Sequence, residues 1–135
     1  MSEIIKQPPA ITASSRPFWE AAEKHELVVC RCQDCGTFYS QAFVCAVCGG
    51  DRMEWVKASG KGKVFTFCVF RQAFNPAWRD DIPYNVAYVK LDEGPLLISN
   101  IVGCSNDEIY IGMPVKVVFE DISDEVTLPE FIPVW

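Results

Sequence analysis

Five of the seven cysteines lie between residues 30 and 50, in the stretch CRCQDCGTFYSQAFVCAVCGG. Four of them make two Cys-x-x-Cys-Gly knuckles, Cys32/Cys35 and Cys45/Cys48, with nine residues between. Two residues between cysteines let a tight turn aim both sulfurs at one point, and Gly36 and Gly49 allow the left-handed backbone such a turn needs. Four thiolates suit one tetrahedral ion. Zinc fits a chain with no other redox groups, and iron takes the same ligands in a rubredoxin-like centre. Two disulfides fit poorly with an odd cysteine count and with a start, MSEIIKQPPAITASS, that lacks the features of a secretory signal. Four cysteines close the coordination sphere, so the expected ion, one per chain, shapes a module and does no chemistry. Cys30 shares a strand face with Cys32 but is not needed to complete the set. Cys68 and Cys104 stand in apolar strand contexts and read as small buried hydrophobes.

The flanking sequence supplies the elements that must hold the knuckles. SSRPFWEAAEKHELVV predicts one short helix, with Ser15 as its cap, Pro17 in its first turn, and Phe18, Trp19 and Ala22 on one side. Beyond Gly50 the pattern turns to strands. GKVFTFCVFRQ, YNVAYVKL, PLLISNIVG and VKVVFED are rich in β-branched and aromatic residues, with turn chemistry at Ser59-Gly60, Asn75-Pro76, Asp92-Glu93-Gly94-Pro95 and Gly112-Met113-Pro114. EVTLPEFIPVW adds a last edge strand interrupted by prolines. Five strands predict a small barrel, and the OB-fold fits that count, although an SH3-like barrel gives a similar pattern. The expected fold class is mainly β, with an N-terminal helix, a rubredoxin-like zinc ribbon and a five-stranded OB-fold barrel. The expected organisation is a flexible arm over 1–15, the helix over 16–29, the ribbon over 30–58 and the OB-fold over 59–135.

Other chemistry is sparse. Ser59-Gly60-Lys61-Gly62-Lys63 lacks the Gly-Lys-Ser/Thr ending of a phosphate loop and runs into a strand, so it reads as a flexible joint between ribbon and barrel. Asp80-Asp81 and Asp92-Glu93 read as solvated loop charges. His25, the only histidine, has no visible partner and reads as a surface residue near a helix end. Nothing assembles into a nucleophile, base and orienting group, so no catalytic residue is assigned. The loop RQAFNPAWRDDIPY carries Arg71, Phe74, Trp78 and Arg79, residue types enriched at interface centres; the bland reading is a loop folded over one end of the barrel. The net charge is −6, and residues 61–135 carry six Lys/Arg against eleven Asp/Glu. Nucleic-acid affinity rests mostly on phosphate neutralisation, so an acidic barrel argues against a nucleic-acid surface. No apolar run approaches the roughly 20 residues of a bilayer span. These features predict a soluble, cytoplasmic protein.

The phrases RPFWEAAEKHELVVCRCQDCG, CAVCGG, IPYNVAYVKLDEGP, LLISNIVG, IGMPVKVVFED and DEVTLP, in that order, resemble the DUF35 family of acyl-CoA-associated zinc-ribbon/OB-fold proteins. The resemblance covers nearly the whole chain from Arg16, and Cys32, Cys35, Cys45 and Cys48 fill every ligand position of the family's ribbon. It implies a non-catalytic partner of thiolase-superfamily enzymes: thiolases, lipid-transfer-protein-like aldolases, or archaeal assemblies of thiolase with hydroxymethylglutaryl-CoA synthase. Some relatives carry a fused hydratase-like domain that these residues do not include. The expectation is a hetero-oligomer in which Phe18, Trp19, Phe74 and Trp78 dock on the catalytic subunit. The ribbon then borders the coenzyme A channel, and Lys61, Lys63, Arg71 and Arg79 meet the phosphates of the coenzyme A ester. The competing class is a nucleic-acid-binding zinc-ribbon/OB-fold module.

Overall fold

The computed structural model describes residues 11–71, 82–124 and 126–134. Phe74, Trp78, Arg79 and the Asp80-Asp81 pair therefore lie outside the described residues. Helix α1 spans Arg16–Glu23, with Pro17 in its first turn and Ser15 at its N-cap. The Ser15 hydroxyl caps nothing in the helix; it accepts the Thr12 N–H at 3.0 Å. Only the first part of SSRPFWEAAEKHELVV is helical, because His25 takes a left-handed conformation at φ 60° and turns the chain. Leu27 follows, and the β-branched pair Val28-Val29 then begins strand β1. Ala22 is buried and Phe18 packs against the core cluster, as the spacing predicts for these two, while Trp19 is only half-buried.

Strand β1 (Val28–Cys32) is the centre of a three-stranded antiparallel sheet, flanked by β2 (Phe38–Tyr39) and β3 (Met53–Lys57) in the order β2-β1-β3. Its register places Cys30 opposite Tyr39 and Cys32 opposite Met53. The five strands expected for the barrel are all present: β4 (Lys61–Phe70), β5 (Tyr84–Leu91), β6 (Leu96–Ser99), β7 (Pro114–Asp121) and β8 (Thr127–Pro133). Their antiparallel order is β6-β5-β4-β7-β8. The sheet curls until its two edges meet. Ile101 bridges Phe131 in parallel, the Val102 N–H donates to the Phe131 carbonyl at 2.8 Å, and the Phe131 N–H donates to the Asn100 carbonyl at 3.0 Å. That connectivity is an OB-fold, and the fold class is the one the sequence predicts.

One core serves both modules. Val64, Ala87, Val89, Leu91, Ile101, Val115 and Phe131 of the barrel form a single buried cluster with Leu27, Val29 and Ala58 from the ribbon side. The segment Ser59–Lys63 is correspondingly not a flexible joint. The Ser59 N–H donates to Glu93 Oε2 at 2.8 Å, the Gly60 carbonyl accepts the Val117 N–H at 2.7 Å, and Lys61-Gly62-Lys63 are the first residues of β4. Gly62 is there for close approach: a Cβ on it would lie 2.5 Å from the Lys90 carbonyl oxygen. Glu93, read from sequence as a solvated charge, is thus a tie across the junction.

Cys68 also departs from its expected place, for it is exposed. Val64 faces inward, but the β4–β5 register shifts between Val64 and Thr66, and this bulge reverses the alternation. Phe67 then turns to the core and Cys68 to the outer face. Cys104 is half-buried.

Candidate metal centre and its surroundings

Each knuckle is built by its own backbone. The Gly36 N–H donates to the Cys32 carbonyl at 2.8 Å and the Gly49 N–H to the Cys45 carbonyl at 2.9 Å, closing two matching turns. Both glycines take positive φ, 81° and 74°, where a side chain would be strained. The first knuckle leaves the end of β1 and the second hangs from the loop before β3. An ion pair staples them: Arg52 Nε donates to Asp34 Oδ1 at 3.0 Å, with Arg52 Nη2 on the same oxygen, and the guanidinium holds the Asp34 carboxyl below the usual range.

The result is convergence. The Sγ atoms of Cys32, Cys35, Cys45 and Cys48 all lie within 4.8 Å of one another. Cys32 and Cys48 are 3.6 Å apart and Cys35 and Cys45 3.5 Å apart. Tetrahedral coordination at a zinc–sulfur bond of about 2.3 Å sets sulfurs about 3.8 Å from one another. The donor set and its spacing therefore fit one tetrahedral ion, held with no open position. Cys30, despite sharing the face of Cys32, is outside this cluster, and burial pushes its thiol up.

The electrostatics of the four sulfurs call for a cation. The Tyr39 hydroxyl, helped by the Cys48 and Val47 N–H groups, brings the Cys45 thiol down to about 6. Thr37, through its hydroxyl and its N–H, lowers Cys35. Cys48 is pushed up to about 12: the Gly50 N–H pulls it down, but the Cys32 sulfur, burial and the two other sulfurs outweigh that pull. Sulfurs this close cannot all be thiolates by themselves, and a divalent ion removes the conflict.

The other expected residues fall at separate places. Phe18 and Trp19 meet edge-on with ring centroids 5.1 Å apart; Phe18 leans on the core, and Trp19 borders an outer hollow with Ile11, Arg16, Glu20 and Glu23. Arg71 is exposed at the end of β4, beside Pro83 and Ser105. Lys61 and Lys63 are exposed on the outer face of β4, and register gives them company that spacing did not reveal. Lys63 stands opposite Lys90 of β5, and Lys61 opposite Lys116 of β7. All four lysines of residues 61–135 thus occupy one face of an acidic barrel. Like charges directly opposite repel. Among the described residues none of the four has a carboxylate within ion-pair distance.

His25 does have a partner. Its ring stacks on Phe119 with centroids 5.2 Å apart, and its Nε2 lies 3.1 Å from Asp121 Oδ1, which also accepts the Thr127 hydroxyl at 2.7 Å. The carboxylate stands between histidine and hydroxyl, so the arrangement clasps the end of α1 to β7 and β8 and activates no nucleophile. A cleft of about 510 Å³ between the β6–β7 connection and the outer side of β7–β8 is lined by Cys104, Asn106, Glu120 and Glu130 among others. Burial, then the neighbouring Glu120 carboxylate, pushes Glu130 up to about 7. Tyr39, Thr37, Lys90, Lys116 and the Glu120/Glu130 pair were not singled out from sequence. Only Thr37, two residues past a ligand cysteine, had a local signal.

Two family models match the chain in tandem: the rubredoxin-like zinc ribbon domain of ChsH2 over residues 19–54, and the C-terminal OB-fold domain of ChsH2 over residues 55–120. A probable enoyl-CoA hydratase alpha subunit from Thermomonospora curvata is 37% identical over 97% of this chain, which spans only 41% of that relative's length. A DUF35 domain-containing scaffold protein from Methanocaldococcus jannaschii is 36% identical over 76% of this chain and 74% of its own. A solved structure described as Ltp2-ChsH2(DUF35) aldolase superposes with a TM-score of 0.83 at 38% identity, covering 93% of this chain and 98% of the other.

Proposed function

This chain belongs to the DUF35 family of zinc-ribbon and OB-fold proteins, and from that premise we propose that it is an accessory subunit of an enzyme complex acting on acyl-CoA esters. The observation that carries the reading is the overlay on the chain of an aldolase whose name pairs ChsH2(DUF35) with a second component, Ltp2. The hydratase alpha subunit supports the acyl-CoA part of the reading. On this proposal Cys32, Cys35, Cys45 and Cys48 hold one structural zinc ion. The catalytic partner is a thiolase or a thiolase-fold aldolase.

The docking residues are proposed to be Phe18 and Trp19, which meet edge-on, together with Phe74 and Trp78. Lys61 and Lys63, joined by Lys90 and Lys116, supply a cationic face, without ion pairs among the described residues, for the coenzyme A phosphates, with Arg71 and Arg79 as further cations. The same face would serve a nucleic-acid module, but the net charge of −6 weighs against that class.

The test is purification of the tagged chain from its native cells with metal retained, mass spectrometry of what accompanies it, and an acyl-CoA cleavage assay. A stoichiometric thiolase-superfamily partner that is active only with this chain present supports the proposal. Protein that emerges alone, or with RNA, overturns it. In a complex that forms, Lys63→Gln combined with Lys90→Gln is expected to raise the KM for the acyl-CoA and to flatten its salt dependence, with kcat little changed.

A further inference from the structure

The four sulfurs do not stand in equivalent surroundings. Cys45 is buried and has a phenol beside it: the Tyr39 oxygen lies 3.3 Å from Cys45 Sγ. That oxygen also accepts the Ala46 N–H at 2.9 Å. With its acceptor side engaged by the backbone, the hydroxyl has its proton left to give, and the sulfur is the acceptor within reach. Tyr39 comes from β2, paired to β1 opposite Cys30, so the ring is fixed by the sheet and not by the knuckle it touches. Thr37, one residue before β2, places its Oγ1 3.1 Å from Cys35 Sγ. The two hydroxyls address one cysteine of each knuckle. These two sulfurs, Cys35 and Cys45, are themselves 3.5 Å apart.

We propose that Tyr39 and Thr37 are positioning residues of the metal centre, donating O–H···S hydrogen bonds that draw charge from the Cys45 and Cys35 thiolates and hold the two knuckles closed on the ion. The physical reason is electrostatic. A divalent ion in a four-thiolate site carries a net charge of about −2, and donors to sulfur offset that excess while fixing each sulfur's direction. Backbone N–H groups do this in any such turn; Tyr39 and Thr37 add two side-chain donors to them. The inference rests on a metal being bound by the four cysteines.

The test uses the full-length zinc-loaded protein and its Tyr39→Phe and Thr37→Val variants, each of which removes a donor and keeps the size of the side chain. Zinc transfer to the chelator 4-(2-pyridylazo)resorcinol is followed at 500-fold chelator excess or similar. Charge-transfer absorption is recorded on the cobalt(II)-substituted proteins. The expected result is zinc release faster by about 10-fold or more in Tyr39→Phe, the range typical of lost outer partners of metal ligands. Its thiolate-to-cobalt band should move to longer wavelength, because an unbonded thiolate is the better electron donor. A side chain that only packs would leave that band in place. Release within twofold of wild type with an unmoved band in both variants overturns the proposal. If Tyr39→Phe does not fold with metal, Thr37→Val makes the same comparison at Cys35. Wild-type protein that takes up no ion overturns this inference together with the metal assignment, whereas equal retention by wild type and variants overturns this inference alone.

Discussion

Among the seven cysteines, position in the fold and not residue type sets the role. Cys35 reaches the sulfur cluster because its knuckle turn closes on Gly36, while Cys30, two residues before Cys32 on the same strand, is buried outside it. Cys35→Ser is therefore expected to drop the metal content from one ion per chain to near none and to collapse the dispersion of the ribbon amides in an NMR spectrum, whereas Cys30→Ala keeps the ion. Glu130 makes a second prediction at this scale. It is 8% exposed, and its carboxyl is raised from 4.5 to about 7, first by burial and then by Glu120. A carboxyl raised on folding holds its proton more tightly in the native chain. Its contribution to stability is complete below the unfolded value and disappears as pH rises through the folded one. Glu130→Gln should thus raise the melting temperature by about 5 °C at pH 8, with the gain shrinking steadily toward pH 5, as thermal scans would show.

The elements are joined by side chains that reach across sequence. Glu93, in the turn between β5 and β6, accepts the backbone N–H of Ser59 where the ribbon passes into β4. Among the described residues its other carboxylate oxygen, Oε1, is buried without a hydrogen-bond partner, so the Ser59 N–H is the contact that offsets the burial of this carboxylate. Glu93→Ala leaves the Ser59 N–H without its acceptor and is expected to cost about 1.5–3 kcal/mol in urea unfolding, the range for a hydrogen bond to a charged group. Amide exchange should quicken at Ser59 and Gly60 before it does in β5. The His25–Asp121 contact and the stacking of His25 on Phe119 do similar work at the other end, tying the last residue of the helical turn to β7.

For the whole molecule the shared core matters most. Leu27, Val29 and Ala58 are buried in the same cluster as Val64, Leu91 and Phe131, so ribbon and barrel are not beads on a string. Metal removal should therefore act beyond the ribbon. Stripping the ion with a chelator is expected to lower the melting temperature of the entire chain by roughly 10–20 °C, in one transition, since a ligand bound only by the native state adds about 4 kcal/mol at a thousandfold excess over its Kd. Two separate transitions, with the barrel's unmoved, would show that the common core does not couple the modules. No helix among the described residues is long and apolar enough to cross a membrane, and the surface feature that strand pairing creates is the cationic face of Lys61, Lys63, Lys90 and Lys116.

Local chemistry made the convergent cysteines, the five barrel strands and the start of the helix legible in the sequence. A Cys-x-x-Cys-Gly turn closes within five residues, and strand alternation needs only nearest neighbours. What depends on register or on distant partners was not legible. The bulge that turns Cys68 outward is one residue of slippage between β4 and β5, invisible until the strands pair. Lys61, Lys63, Lys90 and Lys116 are scattered over 56 positions and become one face only because β5, β4 and β7 lie side by side. The helix ends at Glu23, and just past it tertiary contacts with Phe119 and Asp121 hold His25 in a conformation that propensity disfavours. Tyr39 meets Cys45 through the pairing of β2 with β1 and the fold of the second knuckle. The sequence by itself determined the four cysteines whose turns can converge on one ion, a short-range matter; only the tertiary structure decided what surrounds them, because those neighbours are brought together by sheet pairing across the chain.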